Sequence, residues 1–212
     1  MRSARGIDFV VKVCGITEEE DGQVALAAGA NALGFNFYRQ SARYLSLDRA
    51  QRLVTALEGD YLRVGVFVNP TEVELSKAMS TVRLDVIQLH GGHCASPPHG
   101  IRVWRSLTLP ATIPVGAETE AFLLDSPSPH FGGSGRTFDW SLAATFPHRA
   151  ILAGGLDHSN VGEAIRAARP WGVDACSRLE IQPARKDAER VRAFVAAAFR
   201  EARMQTPAET RT

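Results

Sequence analysis

The chain has 212 residues, of which 45% are hydrophobic, and its formal net charge is +1 at pH 7. This length and composition can bury one core, so we expect a single domain over residues 1–212. The nearly balanced charge gives no indication of a nucleic-acid partner. The apolar runs are far shorter than the ~20 residues that cross a bilayer, and no apolar signal segment opens the chain, so we expect a cytoplasmic protein without a membrane partner. Three cysteines at no metal-like spacing argue against a disulfide framework and a zinc site.

Short β-rich runs alternate with segments of helical periodicity along most of the chain. The predicted strands are 9–13, 32–37, 62–68, 85–89, 101–107, 121–125, 150–154 and 172–176. The predicted helices, with apolar residues at i, i+3, i+4 and i+7, are 18–30, 47–58, 71–82, 159–169 and 187–202. We expect Thr17, which precedes three glutamates, to supply the cap of the first helix.

Strands that alternate with helices favour parallel pairing, and eight such units predict a single, compact (β/α)8 barrel of the TIM type. The chain is short for this fold, so we expect trimmed helices around the fourth and fifth units, where 91–100 and 110–119 are rich in proline and glycine. An open, doubly wound sheet is the competing architecture. Residues 203–212 have the composition of a disordered tail.

In such a barrel the chemistry lies at the carboxyl ends of the strands. Cys14 ends the first strand beside a glycine, where a ligand can reach it, although a buried cysteine is more often a small hydrophobe. Asp125 ends an apolar strand, where desolvation would raise its pKa toward that of a general acid; the alternative is a carboxylate that caps a loop. Arg43 lies between aromatic neighbours and either holds a carboxylate or points to solvent. His90 is more simply explained as a structural residue.

Glycine-rich loops follow the sixth and seventh strands. Both 132–135 ("GGSG") and 153–160 ("AGGLDHSN") place glycines where backbone N–H groups can approach an anion, and the second leads into a helix N-terminus. A tight turn without a ligand is the alternative for either loop. Because the loops after strands seven and eight of such barrels often hold phosphate, the second loop is a candidate phosphate site.

Seven groups of short motifs occur together in a characteristic order and spacing. They are "KVCGIT", "GANALGFNFY" with "SARY", "VGVFVN", "VIQLHG", "LLDS" followed by "GGSGRTFDW", "ILAGGL" ahead of "NVGEAI", and "GVDACSRLE" with "KD" after it. In this order the chain resembles phosphoribosylanthranilate isomerase of tryptophan biosynthesis, from about Val11 to about Phe199. Each motif alone is weak, whereas the whole set in this order is specific.

The resemblance implies a cofactor-free and metal-free barrel that performs an Amadori rearrangement of a small phosphosugar, as a monomer or a homodimer. It implies that Cys14 is the general base at the sugar C2 and Asp125 the general acid at the ring oxygen. Arg43 would hold the anthranilate carboxylate, and Asp174 would lie near the bridging amine. The phosphate-binding residues implied by the resemblance are Gly133, Ser134, Gly135, Gly154, Gly155, Leu156 and Ser177.

The loop after the eighth strand departs from the family pattern. The family usually has serine-serine-glycine where this chain has Cys176, Ser177 and Arg178, so the approach of the backbone to phosphate is in question. Arg178 either pairs with the phosphate or points to solvent. Cys176 is most simply a small replacement for serine, but strand pairing at the barrel closure would bring it near Cys14, where oxidation could couple the two thiols.

Two other functions stay open at this point. One is a phosphosugar-binding barrel in which the altered last loop has ended turnover, which the joint presence of Cys14, Asp125 and Arg43 argues against. The other is a different phosphate-dependent barrel enzyme, such as indole-glycerol-phosphate synthase. That chemistry needs catalytic lysine and glutamate residues, and Lys12 is the only lysine within the predicted strands.

Overall fold

Eight parallel strands close into a barrel in the order of the sequence, with β1 paired to both β2 and β8. The computed structural model describes residues 7–110, 119–126 and 137–205. The strands are β1 (Val10–Cys14), β2 (Ala32–Asn36), β3 (Leu62–Val68), β4 (Val86–His90), β5 (Arg102–Thr108), β6 (Ala121–Asp125), β7 (Ala150–Leu152) and β8 (Gly172–Ala175). The predicted (β/α)8 barrel is confirmed, and the pairing of β1 with β8 excludes the open sheet.

Helices cover the outside of the barrel unevenly. They are α1 (Glu19–Ala27), α2 (Leu47–Ala56), α3 (Glu72–Thr81), α4 (Val161–Ala168) and α5 (Ala188–Gln205). The connection from β4 to β5 contains no helix, and the described part of the connection from β6 to β7 has only a 3₁₀ turn, Trp140–Ala143. These short connections agree with the expectation of trimmed helices. The described residues contain no helix long and apolar enough to cross a membrane.

The C-terminal part of the chain differs from the sequence prediction in two ways. A small antiparallel ladder, β9 (Glu180–Gln182) with β10 (Arg185–Lys186), follows β8 and was not predicted. Helix α5 continues through Arg203 to Gln205, into the segment predicted as a tail, and 206–212 lie outside the described residues.

The predicted cap of α1 is wrong. Glu18 occupies the N-cap position and makes no side-chain cap hydrogen bond. The Thr17 hydroxyl instead donates to the Ala184 carbonyl oxygen at 2.6 Å. Thr17 therefore ties the loop after β1 to the β9–β10 turn, and Glu18 rather than Thr17 stands at the N-cap position.

The barrel has an outer and an inner core, as the two-residue period of a strand requires. Val11 and Val13 of β1 face outward and pack in one cluster with α5 residues such as Val195. Val10 faces inward, in a separate cluster that includes Trp104 of β5. Because the same alternation directs Lys12 and Cys14 inward, two reactive side chains of β1 enter the upper half of the barrel interior.

Candidate active site

A cavity of about 410 Å³ opens at the carboxyl ends of the strands. Every predicted site residue within the described ranges lines it, namely Cys14, Arg43, Asp125, residues 154–156, Asp174 and Ser177. Gly133, Ser134 and Gly135 lie outside the described residues. The topology thus brings together residues that are up to 163 positions apart in the chain, Cys14 and Ser177 being the most distant pair.

Lys12 and Asp174 form a buried ion pair, of which Asp174 also lines the cavity. Lys12 Nζ donates to Asp174 Oδ1 at 2.9 Å, and strand pairing sets these two residues opposite each other on β1 and β8. Burial by itself would lower the pKa of Lys12, but Asp174 and Cys14 outweigh it, so the pKa is raised and Lys12 stays charged. Burial raises the pKa of Asp174 above its usual range, partly offset by Lys12. Each partner therefore needs the other, since an unpaired charge at this depth is costly.

Cys14 is held at the cavity floor by close packing. It is 8% exposed and pairs in register with Gly34 of β2. A Cβ atom at Gly34 would lie 2.6 Å from Cys14 Sγ and 3.1 Å from Lys12 Nζ. Only glycine leaves room there, so Gly34 fixes the position of both the thiol and the ammonium group beside it.

Asp125 reaches the same cavity from the far side of the barrel. Burial raises the pKa of its carboxyl, against hydrogen bonds from Ser126 that lower it. Gly154, at a φ of +78°, packs so closely that a Cβ atom there would lie 2.7 Å from Asp125 Oδ1 and 2.8 Å from the Ser126 nitrogen. The loop after β7 therefore supports the carboxyl end of β6.

Arg43 is anchored to the β9–β10 ladder. Its Nε and Nη2 donate to the two carboxylate oxygens of Glu180 at 2.7 and 2.6 Å, a bidentate pair. Lys186 Nζ donates to the same carboxylate at 2.9 Å. Burial would raise the pKa of Glu180, but the hydrogen bonds from Arg43 and Lys186 outweigh it, so the pKa is lowered. Glu180 thereby holds the guanidinium group of Arg43 at the cavity wall.

Cys176 lies beside Cys14 at the mouth of the barrel. A Cβ atom at Gly15 would be 3.0 Å from Cys176 Sγ. The interaction with Cys14, with Lys186 and Arg43 nearby, lowers the pKa of Cys176 to about 6. The interaction with Cys176 and burial raise the pKa of Cys14, although Lys12 opposes them. The expected proximity of the two thiols is therefore present in the structure.

The loops after β7 and β8 meet at one side of the cavity. Gly154 and Gly155 both have positive φ values, +78° and +62°. Arg178 Nη1 bonds to Asp157 Oδ2 at 2.9 Å, and its side chain remains 44% exposed. The arginine thus bridges the two loops, an arrangement that neither sequence alternative for Arg178 included.

His90 lines the cavity as a neutral, buried group. The Gln88 amide nitrogen lies 2.8 Å from His90 Nε2, and since an amide nitrogen can only donate, that ring nitrogen accepts. Burial, with a smaller effect of Lys12, lowers the pKa of His90 to about 4. Within the described ranges, no group of three or more histidine, cysteine, aspartate or glutamate side chains is arranged to hold a metal ion.

Comparison with known proteins gives the family of the chain. The sequence profile of the family described as PRAI, N-(5'phosphoribosyl)anthranilate (PRA) isomerase, matches residues 11–197. An N-(5'-phosphoribosyl)anthranilate isomerase from Solibacter usitatus (strain Ellin6076) is 43% identical over 196 residues, which cover 90% of this chain and 97% of that relative. The chain belongs to the PRA isomerase family.

Solved PRA isomerase structures superpose over most of the chain. One is a PRA isomerase in complex with reduced 1-(o-carboxyphenylamino)-1-deoxyribulose 5-phosphate, with a TM-score of 0.75 and 32% identity, covering 90% of this chain and 98% of that one. Another is described as monomers of the dimeric enzyme from Thermotoga maritima, with a TM-score of 0.74, 32% identity and the same coverage. Family members therefore include a dimeric protein and one that binds a small phosphorylated ligand.

The roles of Lys12, Glu180 and Lys186 in this PRA isomerase site were not predicted from the sequence. The pairing of Lys12 with Asp174 had a signal, because a lysine inside an apolar strand needs a buried partner and barrel closure sets β1 beside β8. Glu180 and Lys186 belong to the family motif "GVDACSRLE" with "KD" after it, but their contacts depend on a two-stranded ladder too short to be recognised from its sequence.

Proposed function

We propose that the chain is a phosphoribosylanthranilate isomerase of tryptophan biosynthesis. It converts N-(5'-phosphoribosyl)anthranilate to 1-(2-carboxyphenylamino)-1-deoxyribulose 5-phosphate by general acid–base catalysis. The observation that carries the proposal is the placement of Cys14 and Asp125 at the carboxyl ends of β1 and β6, on the wall of one cavity. Opening a furanose needs an acid near the ring oxygen, and isomerisation needs a base near C2, so one bound substrate can use both groups.

Asp125 is proposed as the general acid. Its raised pKa, caused mainly by burial, increases the fraction of the protonated carboxyl near neutral pH. Donation of this proton to the ring oxygen breaks the bond between that oxygen and C1, while the lone pair of the anthranilate nitrogen forms a C1=N double bond. The sugar is then open and its C2 proton is acidified by the adjacent iminium.

Cys14 is proposed as the general base that removes the C2 proton. The electrons of the C2–H bond form a C1=C2 double bond, and the C1=N pair returns to nitrogen. Lys12 lies beside the thiol and favours its thiolate form, although Cys176 and burial raise the pKa of Cys14 overall. Cys14 acts as a proton acceptor and forms no covalent bond to the substrate, so its contribution depends on placement and protonation state.

Binding of the small-molecule substrate uses the remaining predicted residues. Arg43 already shares Nε and Nη2 with Glu180, so Nη1 is the donor we assign to the anthranilate carboxylate. Asp174 is assigned to the bridging amine. Backbone N–H groups of 154–156 and of Ser177, with those of 133–135 outside the described residues, are assigned to the phosphate. The active form is a monomer or a homodimer, which sedimentation can measure.

The test is turnover of freshly prepared phosphoribosylanthranilate, followed by the loss of its fluorescence. We expect wild-type turnover and a loss of roughly 10²- to 10⁴-fold in Cys14→Ala and Asp125→Asn, the usual effect of removing a general acid or base. Cys94→Ala is the matched control, because Cys94 is a free cysteine that does not line the cavity. Absence of turnover in the wild type, or full activity in Cys14→Ala, would contradict the proposal. Tight binding of a reduced product analogue without turnover would instead favour a phosphosugar-binding barrel.

A further inference from the structure

Two thiols face each other at the barrel mouth, and each has its own cation. Cys14 ends β1 with Lys12 Nζ beside it, and Cys176 follows β8 with Lys186 Nζ 3.8 Å from its Sγ. The chain brings them together because β1 and β8 are neighbours at the closure of the barrel. Both thiols line the active-site cavity.

The charged side chains around Cys176 favour a negative charge on its sulfur. Lys186 and Arg43 are cations on this side of the site, and Glu180 is the carboxylate that pairs with both of them. Lys186 and Glu180 are almost fully buried, at 4% and 7% exposure, so solvent screens this imbalance poorly. Glu180 Oε1 is 3.9 Å from Cys176 Sγ and opposes a negative sulfur, but the two cations outnumber it. Asp21 Oδ2 accepts a hydrogen bond from the Lys186 backbone nitrogen at 2.9 Å.

We propose that Cys176 completes the general base by taking the proton of Cys14 as Cys14 takes the proton of C2. This inference rests on the proposed function. The C2–H bond breaks as a new Cys14 S–H bond forms, the original Cys14 S–H bond breaks, and a Cys176 S–H bond forms. The Cys176 thiolate thereby becomes a thiol. The reverse transfer delivers a proton to C1 when the enaminol becomes the ketone, the O2 hydroxyl proton leaves to solvent, and the Cys176 thiolate is restored.

The protonation state of the pair explains why a second sulfur is needed. Lys186 Nζ lies 3.8 Å from Cys176 Sγ, and this cation favours a negative charge on that sulfur. The interaction with Cys14 and the nearby cations lowers the pKa of Cys176 to about 6, while Cys176 and burial raise the pKa of Cys14. The negative charge of the pair therefore resides on Cys176 and the proton on Cys14. A protonated Cys14 cannot accept a proton unless it passes its own to a neighbour, and Cys176 is the acceptor in contact with it.

A serine at position 176 would conserve the packing but could not hold the charge. The substitution Cys176→Ser therefore distinguishes the two roles considered for Cys176, a small replacement for serine and a proton acceptor. If the thiol pair titrates as a unit, its first macroscopic pKa is never higher than that of Cys14 alone, because two sites share the ionisation. Removing the more acidic site must then raise the pKa that controls the base.

The decisive experiment is the pH dependence of kcat/KM for wild type, Cys176→Ser and Cys94→Ser. We expect a wild-type acid limb centred near pH 6, in agreement with the lowered pKa of Cys176. In Cys176→Ser the limb should move up by more than about one pH unit, with roughly a tenfold or greater loss of kcat/KM below pH ~6 and little change at the alkaline plateau. Cys94→Ser should keep the wild-type limb. Equal midpoints for wild type and Cys176→Ser would overturn the inference.

A second measurement reads the thiols without turnover. Alkylation of the wild-type enzyme by iodoacetamide, with each cysteine quantified by mass spectrometry across pH, should give a midpoint near pH 6 for Cys176 and a higher one for Cys94, whose pKa is raised by burial. In Cys14→Ala the Cys176 midpoint should rise, because the neighbouring S–H group that stabilises the Cys176 thiolate is lost. Matching midpoints for Cys176 and Cys94 would refute the inference. A wild-type enzyme that does not turn over phosphoribosylanthranilate would instead refute the proposed function.

Discussion

Substitution of Gly34 by alanine should displace the general base without removing any functional group. Gly34 pairs with Cys14 across β1 and β2, and an added Cβ atom would lie 2.6 Å from Cys14 Sγ, 3.1 Å from its Cα and 3.1 Å from Lys12 Nζ. Gly34 is not among the described glycines with positive φ, so the cost of alanine comes from contact alone. The site can relieve this contact mainly by moving the Cys14 side chain.

The size of the effect follows from these distances. Ordinary contacts between heavy atoms are about 3.5–4.0 Å, so Sγ must move by about 1 Å. A misplacement of about 1 Å costs roughly 10²-fold in rate, and overpacking a core site costs about 1–3 kcal/mol in stability. We therefore expect Gly34→Ala to remain folded and to lose roughly 10²-fold in kcat, with a smaller change in KM.

The assay compares kcat by fluorescence loss and unfolding free energy by urea titration. Gly92→Ala is the matched control, because a Cβ atom at Gly92 meets nothing within 4 Å and its φ is not in the left-handed region. The control should match wild type in both measurements. A folded Gly34→Ala enzyme with kcat within about threefold of wild type would refute the placement of Cys14 as the base, since catalysis would tolerate its displacement.

Three further changes test other parts of the site. Gly154→Ala should lower kcat by roughly 10-fold or more, because its Cβ atom would lie 2.7 Å from Asp125 Oδ1 at a φ of +78°. Lys12→Met should cost about 3–5 kcal/mol in urea unfolding, because it leaves the Asp174 carboxyl buried and unpaired. The low pKa of His90, about 4, means that the folded state binds fewer protons than the unfolded chain below pH ~6.5. The contribution of neutral His90 to the free energy of unfolding is complete above pH ~6.5 and falls by up to about 3 kcal/mol as the pH decreases to ~4. Urea titrations at each pH measure this decrease.

Each of these changes has a matched comparison. Gly100→Ala is the comparison for Gly154→Ala. Gly100 has a similar φ, +84°, and no atom lies within 4 Å of the added Cβ atom, so this variant should keep its kcat and report the backbone strain alone. Lys12→Met combined with Asp174→Asn should recover part of the lost stability, and no recovery would contradict the ion-pair explanation. His90→Asn should unfold with a shallower pH dependence than wild type between pH ~4 and ~6.5, whereas an equal slope would assign the acid sensitivity to other groups.

The barrel and its mouth could be predicted because they depend on local pattern. The inward position of Lys12 and Cys14 follows from the two-residue period of a strand, and the place of Asp125 follows from the end of an apolar run. The contact of Arg43 with Glu180 joins residues 137 positions apart through a ladder of five residues, and no local pattern encodes it. Thr17 failed as a helix cap for the same reason, since its acceptor, the Ala184 carbonyl, comes from that ladder.

The departure from the family pattern at Arg178 has a structural explanation in the loop itself. Residue 178 lies within a 3₁₀ turn, Ser177–Leu179, and it is not among the described non-glycine residues with positive φ, so the backbone does not require glycine there. The side chain pairs with Asp157, and although burial would raise the pKa of Asp157, the hydrogen bonds from Ser159 and Arg178 lower it. An exposed cation already paired with a carboxylate adds little attraction for an incoming phosphate. The phosphate affinity of the proposed site should therefore rest on backbone N–H groups, while the arginine joins the loops after β7 and β8 through Asp157.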